Sequence, residues 1–119
     1  MTLQSNTLVY KILSASDWQV ASELGYSKTA LDEGDGYVHL STGEQVAETL
    51  RLHYAGQTGV QLLEYDLDSL GGDVRWEESR GGQLFPHLYG SLFIAKAVRQ
   101  WALANDEAGN PITPEEVAS

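Results

Sequence analysis

Apolar positions run almost unbroken through "LVYKIL", residues 8–13, and are rich in β-branched and aromatic side chains, which predicts a first strand. The period then changes. In "SASDWQVASELG", Trp18, Ala21 and Leu24 recur close to helical spacing, Ser14 or Ser16 can cap, Asp17 sits in the first turn and Gly25 offers a left-handed stop. "YSKTALDEGDG" carries turn chemistry, so the next strand is expected at residues 37–40, with Tyr37 and His39 on one face and Val38 and Leu40 on the other. "STGEQVAETLRLHYAG" returns to the helical period. Val46, Leu50, His53 and Tyr54 form its apolar stripe, Thr42 and Gln45 match a capping box, and Gly56 closes the helix.

"VQLLEYDL" reads as a strand, "DSLGGD" as a turn with at most one helical loop, and "VRWEE" as a short strand with Trp76 on one side and Arg75 and Glu77 on the other. "SRGGQLFPHLYG" is irregular by composition, held by Pro86 and bracketed by Gly82 and Gly90, and "SLFIAKAVRQWAL" fits either a helix or a turn followed by a strand. The expected organisation is a loose N-terminus at 1–7, one globular domain at 8–104 and a flexible tail at 105–119. Strands and helices interleave early and strands dominate later. This predicts an α+β class: a single compact domain with a mixed or mostly antiparallel split sheet and two main helices.

Composition narrows the chemistry. A chain of 119 residues is long enough for one domain with a real core. With no cysteine, disulfides, thiolate catalysis and thiolate metal sites are all excluded, and any metal would depend on carboxylates and three histidines. The formal charge of −10 repels phosphodiester backbones, so nucleic acid is not an expected partner. No apolar run approaches the roughly 20 residues of a membrane span and no signal-peptide pattern opens the chain; a cytoplasmic protein is expected, with no membrane partner.

Three clusters carry candidate chemistry. His39 and Ser41 fall on one strand face just before a helix start at Thr42, where free backbone N–H groups favour a phosphate or carboxylate. The plainer alternative is that Thr42 and Gln45 only cap and His39 only bonds a backbone carbonyl. His53, on the helix stripe, reads as structural. In "RWEES", Trp76 offers a stacking face and Glu77 can bond a ribose hydroxyl or stabilise a cation, or else Arg75 and Glu77 form a surface pair and Trp76 is core. In "FPHLYG", Pro86 stiffens the presentation of Phe85, His87 and Tyr89. No dinucleotide-binding glycine motif, phosphate-binding loop, zinc-protease motif or serine-hydrolase elbow is present.

"YKIL", the Trp that follows it, "DGYVHLST" with Gln45 and Thr49 beyond, "RWE" and "FPHLYG", in that order over roughly residues 8–103, resemble the bacterial family catalogued as domain of unknown function 952. The resemblance implies a fold similar to that of the ADP-ribosyltransferases, with NAD as possible substrate and no metal. It makes His39 the ribose-holding candidate beside Ser41 and Thr42, and Glu77 the later acid, although the first strand has no His or Arg followed by Gly. The expected catalytic residues are His39, Glu77 and His87, and the expected ligand-binding residues are Tyr37, Ser41, Thr42, Gln45, Trp76, Phe85 and Tyr89. Two other readings stand beside this one: a non-catalytic module for a small metabolite or a protein, and a metal hydrolase built on His39, His53 and His87.

Overall fold

The computed structural model describes residues 7–117, so the expected loose N-terminus lies almost wholly outside the described residues. At its centre is β1 (Leu8–Leu13), paired antiparallel along its whole length with β4 (Gln61–Asp66). Strand β7 (Arg99–Ala102) extends the sheet beyond β4, and the two-residue β3 (Ser41–Thr42) lies on the other side of β1, opposite Val9 and Tyr10 only. The edge of β1 from Lys11 to Leu13 is therefore not covered by β3.

A second sheet has the order β2-β6-β5, from β2 (Val38–His39), β5 (Val74–Glu78) and β6 (Leu84–Leu88). All strand pairings among the described residues are antiparallel, so the split sheet is not mixed. The two sheets meet at Leu40. Its N–H donates to the Pro86 carbonyl at 3.0 Å in the second sheet, and the next residue, Ser41, pairs with Tyr10 in the first. Pro86 thus occupies the middle of a central strand, which is uncommon because proline lacks a ladder donor. In an antiparallel strand the N and O of a residue point the same way, so the missing donor faces the place where β2 ends and the chain leaves for the other sheet.

β1 is buried on both faces because core lies on each side of it. Val9 and Leu13 join Leu63, Tyr65, Leu40, Val38 and Leu88 under helix α1 (Ala15–Leu24), whereas Tyr10 and Ile12 join Leu62, Val46 and Leu50 under helix α3 (Gly43–His53). α1 is capped by Ser14, which accepts from the Asp17 N–H, and ends at Gly25 with φ 86°. At the start of α3 the Gln45 side chain accepts from the Thr42 N–H at 3.0 Å, as the capping pattern predicts.

Several elements depart from the sequence expectation. Part of the turn region is a third helix, α2 (Ala30–Asp35), with Thr29 as N-cap and Gly36 as left-handed C-cap. "FPHL" is not irregular: it lies within β6, the middle strand of the second sheet. The ambiguous 91–103 segment resolves into a short 3-10 turn at Ile94–Lys96 followed by β7. α3 ends at His53 with Tyr54 as its cap, ahead of Gly56. The expected flexible tail is packed as far as it is described: Asn105 bridges to Pro111, Asn110 accepts from the Gly56 N–H, and Val117 is buried in the core under α3. No helix of the described residues is long and apolar enough to cross a membrane.

Candidate functional site

Where β3 stops short, the edge of β1 that β3 leaves unpaired forms the base of a cleft of about 630 Å³ between α2 and α3. Lys11, Ile12 and Ser14 contribute from β1 and its end, Leu31, Asp32 and Asp35 from α2, and Thr49 and His53 from α3. His39, Leu40 and Ser41 line it where the sheets join, and Phe85 and His87 line it from β6. A volume of several hundred cubic ångströms is the size range of small-molecule sites.

Strand alternation collects the polar groups. The pairings His39↔His87, Arg75↔His87 and Glu77↔Phe85 put these five residues on one face of the second sheet, while Val38, Val74 and Leu88 turn toward the core. His87 is 2% exposed. Its Nδ1 lies 2.8 Å from Glu77 Oε1, which also accepts from the Tyr89 hydroxyl at 2.8 Å. Tyr37 stacks on the ring at 4.2 Å between centroids, and His39 meets it edge-on at 5.4 Å. No partner for Nε2 is found among the described residues. His87 itself lines the cleft. The His87 bond and the Tyr89 hydroxyl hold the Glu77 carboxyl below its ordinary range; because an ionised carboxylate only accepts, Nδ1 carries the hydrogen.

His39 is held differently. Asp32 Oδ1 lies 2.6 Å from its Nδ1 and accepts its backbone N–H at 3.1 Å, and Asp35 Oδ2 lies 2.9 Å from Nε2. The ring donates to both carboxylates at once only as an imidazolium. Beneath it, Lys11 Nζ donates to Asp32 Oδ2 at 2.8 Å and to the His39 carbonyl at 3.1 Å. Burial alone would raise the Asp32 carboxyl, but the His39 bonds and the Lys11 charge outweigh it and hold the group at about 2. Burial lowers the Lys11 ammonium from its usual value, with Asp32 opposing the shift. Tyr54, at the far end of the cleft, is pushed up to about 12 by burial and by the charges of Asp17 and Asp32.

Of the residues singled out from the sequence, His39, Ser41, Phe85 and His87 line the one cleft. Glu77 and Tyr89 stand behind His87, and Tyr37 covers its ring face; none of the three lines the cleft. Thr42 and Gln45 are used in the helix cap, with the Gln45 amide also donating to the Leu84 carbonyl at 2.8 Å. Trp76 is 42% exposed on the opposite face of β5, paired with Pro86, and belongs to neither the core nor the cleft. His53, expected as structural, is exposed and lines the cleft. Although all three histidines border it, no group of three or more His, Asp or Glu side chains among the described residues converges to hold a metal ion. Sequence reasoning missed Asp32, Asp35 and Lys11. The one available signal was an aspartate three residues after a possible Thr29 cap in a segment that otherwise reads as an acidic turn.

Solved structures share this architecture. A crystal structure of protein CC0527 from Caulobacter crescentus is 41% identical with a TM-score of 0.86, covering 93% of this chain and 98% of that one. A solution NMR structure of CC0527 gives 43% identity and a TM-score of 0.76 over 87% of this chain and 90% of that one. No curated protein matches the chain. Residues 12–100, which hold every cleft residue named above except Lys11, match the family described as "Protein of unknown function (DUF952)", and the chain belongs to that family.

Proposed function

We propose that the cleft binds NAD or a related ribose phosphate and that the chain acts there as an ADP-ribosyltransferase-like enzyme, cleaving the bond between nicotinamide and ribose. The observation that carries this reading is His87: its Nδ1 is fixed by Glu77, and its Nε2 is left open to a cleft of nucleotide size. In the neutral ring Nε2 is an acceptor, placed to take a proton from an attacking water. The water oxygen bonds to the ribose carbon, the carbon–nitrogen bond breaks, and its electron pair leaves with nicotinamide. Among the described lining residues the carboxylates of Asp17, Asp32 and Asp35 outnumber the Lys11 and His39 cations, which leaves negative charge near the cationic ribose that develops. Glu77 acts through His87 rather than on the sugar, as the third member of a hydrogen-bonded catalytic set does.

The experiment is calorimetry with NAD together with chromatographic detection of released nicotinamide, in the native chain and in His87→Asn. The Asn amide can keep the Glu77 bond while deleting Nε2. Binding with release in the native chain, and release abolished in the variant, is the expected result. Binding without release marks a non-catalytic recognition module, and absence of binding by NAD, ADP-ribose and AMP removes the proposal.

A further inference from the structure

The second sheet ends on an open strand. In its order β2-β6-β5, the far edge of β5 has no strand beside it among the described residues. The Tyr89 N–H donates to the Asp73 carbonyl and the Ser79 N–H to the Gln83 carbonyl, both at 2.9 Å, so the odd-numbered residues of β5 turn their backbone groups toward β6. Val74, Trp76 and Glu78 therefore aim theirs outward. The side chains along this edge are equally uncommitted. Arg75 is exposed, rests 4.8 Å from the Tyr89 ring centroid, and belongs to no ion pair among the described residues. On the other face of the sheet Trp76 and Leu84, 42% and 54% exposed, form an apolar patch beside Pro86.

We propose that β5 is the contact edge of a homodimer, pairing antiparallel with β5 of a second copy about a two-fold axis at Trp76. The outward groups at 74, 76 and 78 are symmetric about that residue, so this register alone uses the whole strand. Trp76 faces its own counterpart and Val74 faces Glu78 of the second copy, each pair exchanging two backbone bonds. Between them Arg75 falls opposite Glu77 of the second copy, and Glu77 opposite its Arg75, on the face that carries His87. Sliding by two residues instead sets Glu78 against Glu78, or Val74 against Val74 with the rest of the strand unpaired. The register the backbone selects is thus the one in which the charges complement each other, which favours a second copy over an unrelated extended segment. Beneath the sheet the two Trp76 rings meet beside Leu84 and cover the apolar patch. Glu77, which fixes His87, gains a cation from the second copy, and both clefts open on one continuous face. A five-residue edge buries less than a standard interface, so the dimer is weak.

Sedimentation equilibrium from about 10 µM to about 1 mM tests the pairing, in about 0.15 M salt to screen the mutual repulsion of two chains of charge −10. The expected result is a mean mass that climbs with concentration toward twice that of one chain. Arg75→Glu and Glu77→Arg each set like charges opposite one another and are expected to weaken association about tenfold or more, whereas their equimolar mixture restores it, because every facing pair is then of opposite sign. Amide hydrogen exchange in the native chain reads the same contact without a variant. As concentration rises, the N–H groups of Val74, Trp76 and Glu78 gain protection severalfold, and those of Arg75 and Glu77, turned toward β6, do not. A chain that stays monomeric at the highest concentration overturns the proposal, as does a dimer whose added protection lies elsewhere, or a mixture of the two folded variants that stays monomeric. Should Glu77→Arg fail to fold, the amide pattern decides alone.

Discussion

Asp32 accepts from Lys11 Nζ, from the His39 N–H and from His39 Nδ1 with a side chain 7% exposed, so β1 and β2 are both tied to α2 through one carboxylate. Replacing it by Ala leaves the Lys11 ammonium buried without its counter-charge, a change that typically costs about 3–5 kcal/mol. Urea denaturation at pH 7 is expected to show a loss of that size, while a Lys11→Met, Asp32→Leu double variant recovers much of it. Acid acts on the same carboxylate. The folded value of about 2 lies below the ordinary 3.8, so its stabilisation is complete above pH about 4 and is lost as pH falls through about 2. The difference corresponds to about 2 kcal/mol, at roughly 1.4 kcal/mol per unit. Denaturation curves between pH 5 and pH 2 check this: Asp32→Asn is expected to give a shallower decline than the native chain.

At the scale of elements, what was legible in the sequence were those elements whose period or caps are local. β1 and α1 follow from unbroken apolar spacing and a Ser14 to Gly25 frame, and α3 from Val46, Leu50 and the Gln45 cap. α2 escaped because six residues, four of them acidic or glycine, bury little beyond Asp32, whose partner Lys11 is remote in sequence. β6 escaped because Pro86 is a strand breaker unless its missing donor falls where a neighbouring strand ends, which only the three-dimensional pairing reveals. At the site, His39 with Ser41 could be read from alternation, but the Glu77–His87 contact needs strand pairing between β5 and β6. The short helix also carries a prediction. Thr29→Ala, which removes the hydroxyl accepting from the Asp32 N–H, is expected to cost about 1 kcal/mol and to speed amide hydrogen exchange at residues 32–36 before other helices respond.

For the whole molecule, the decisive arrangement is one continuous segment that serves both sheets, with Leu40 2% exposed between them. Leu40→Ala is expected to destabilise by about 2–5 kcal/mol, and to disturb the near-ultraviolet signal of Tyr37 as well as the first sheet, because the cavity opens where the layers join. The acidity of the chain acts over longer range: with a net charge of −10, self-repulsion is relieved by salt, and the melting temperature is expected to rise from about 20 to about 200 mM NaCl. Scanning calorimetry across that range tests it, and an unchanged or falling value contradicts it. Chain continuity through residues 38–42 has a further consequence for traffic. Layers riveted together at a buried leucine cannot part like jaws, so any widening of the cleft falls to its helical walls, of which the six-residue helix that holds His39 is the shorter.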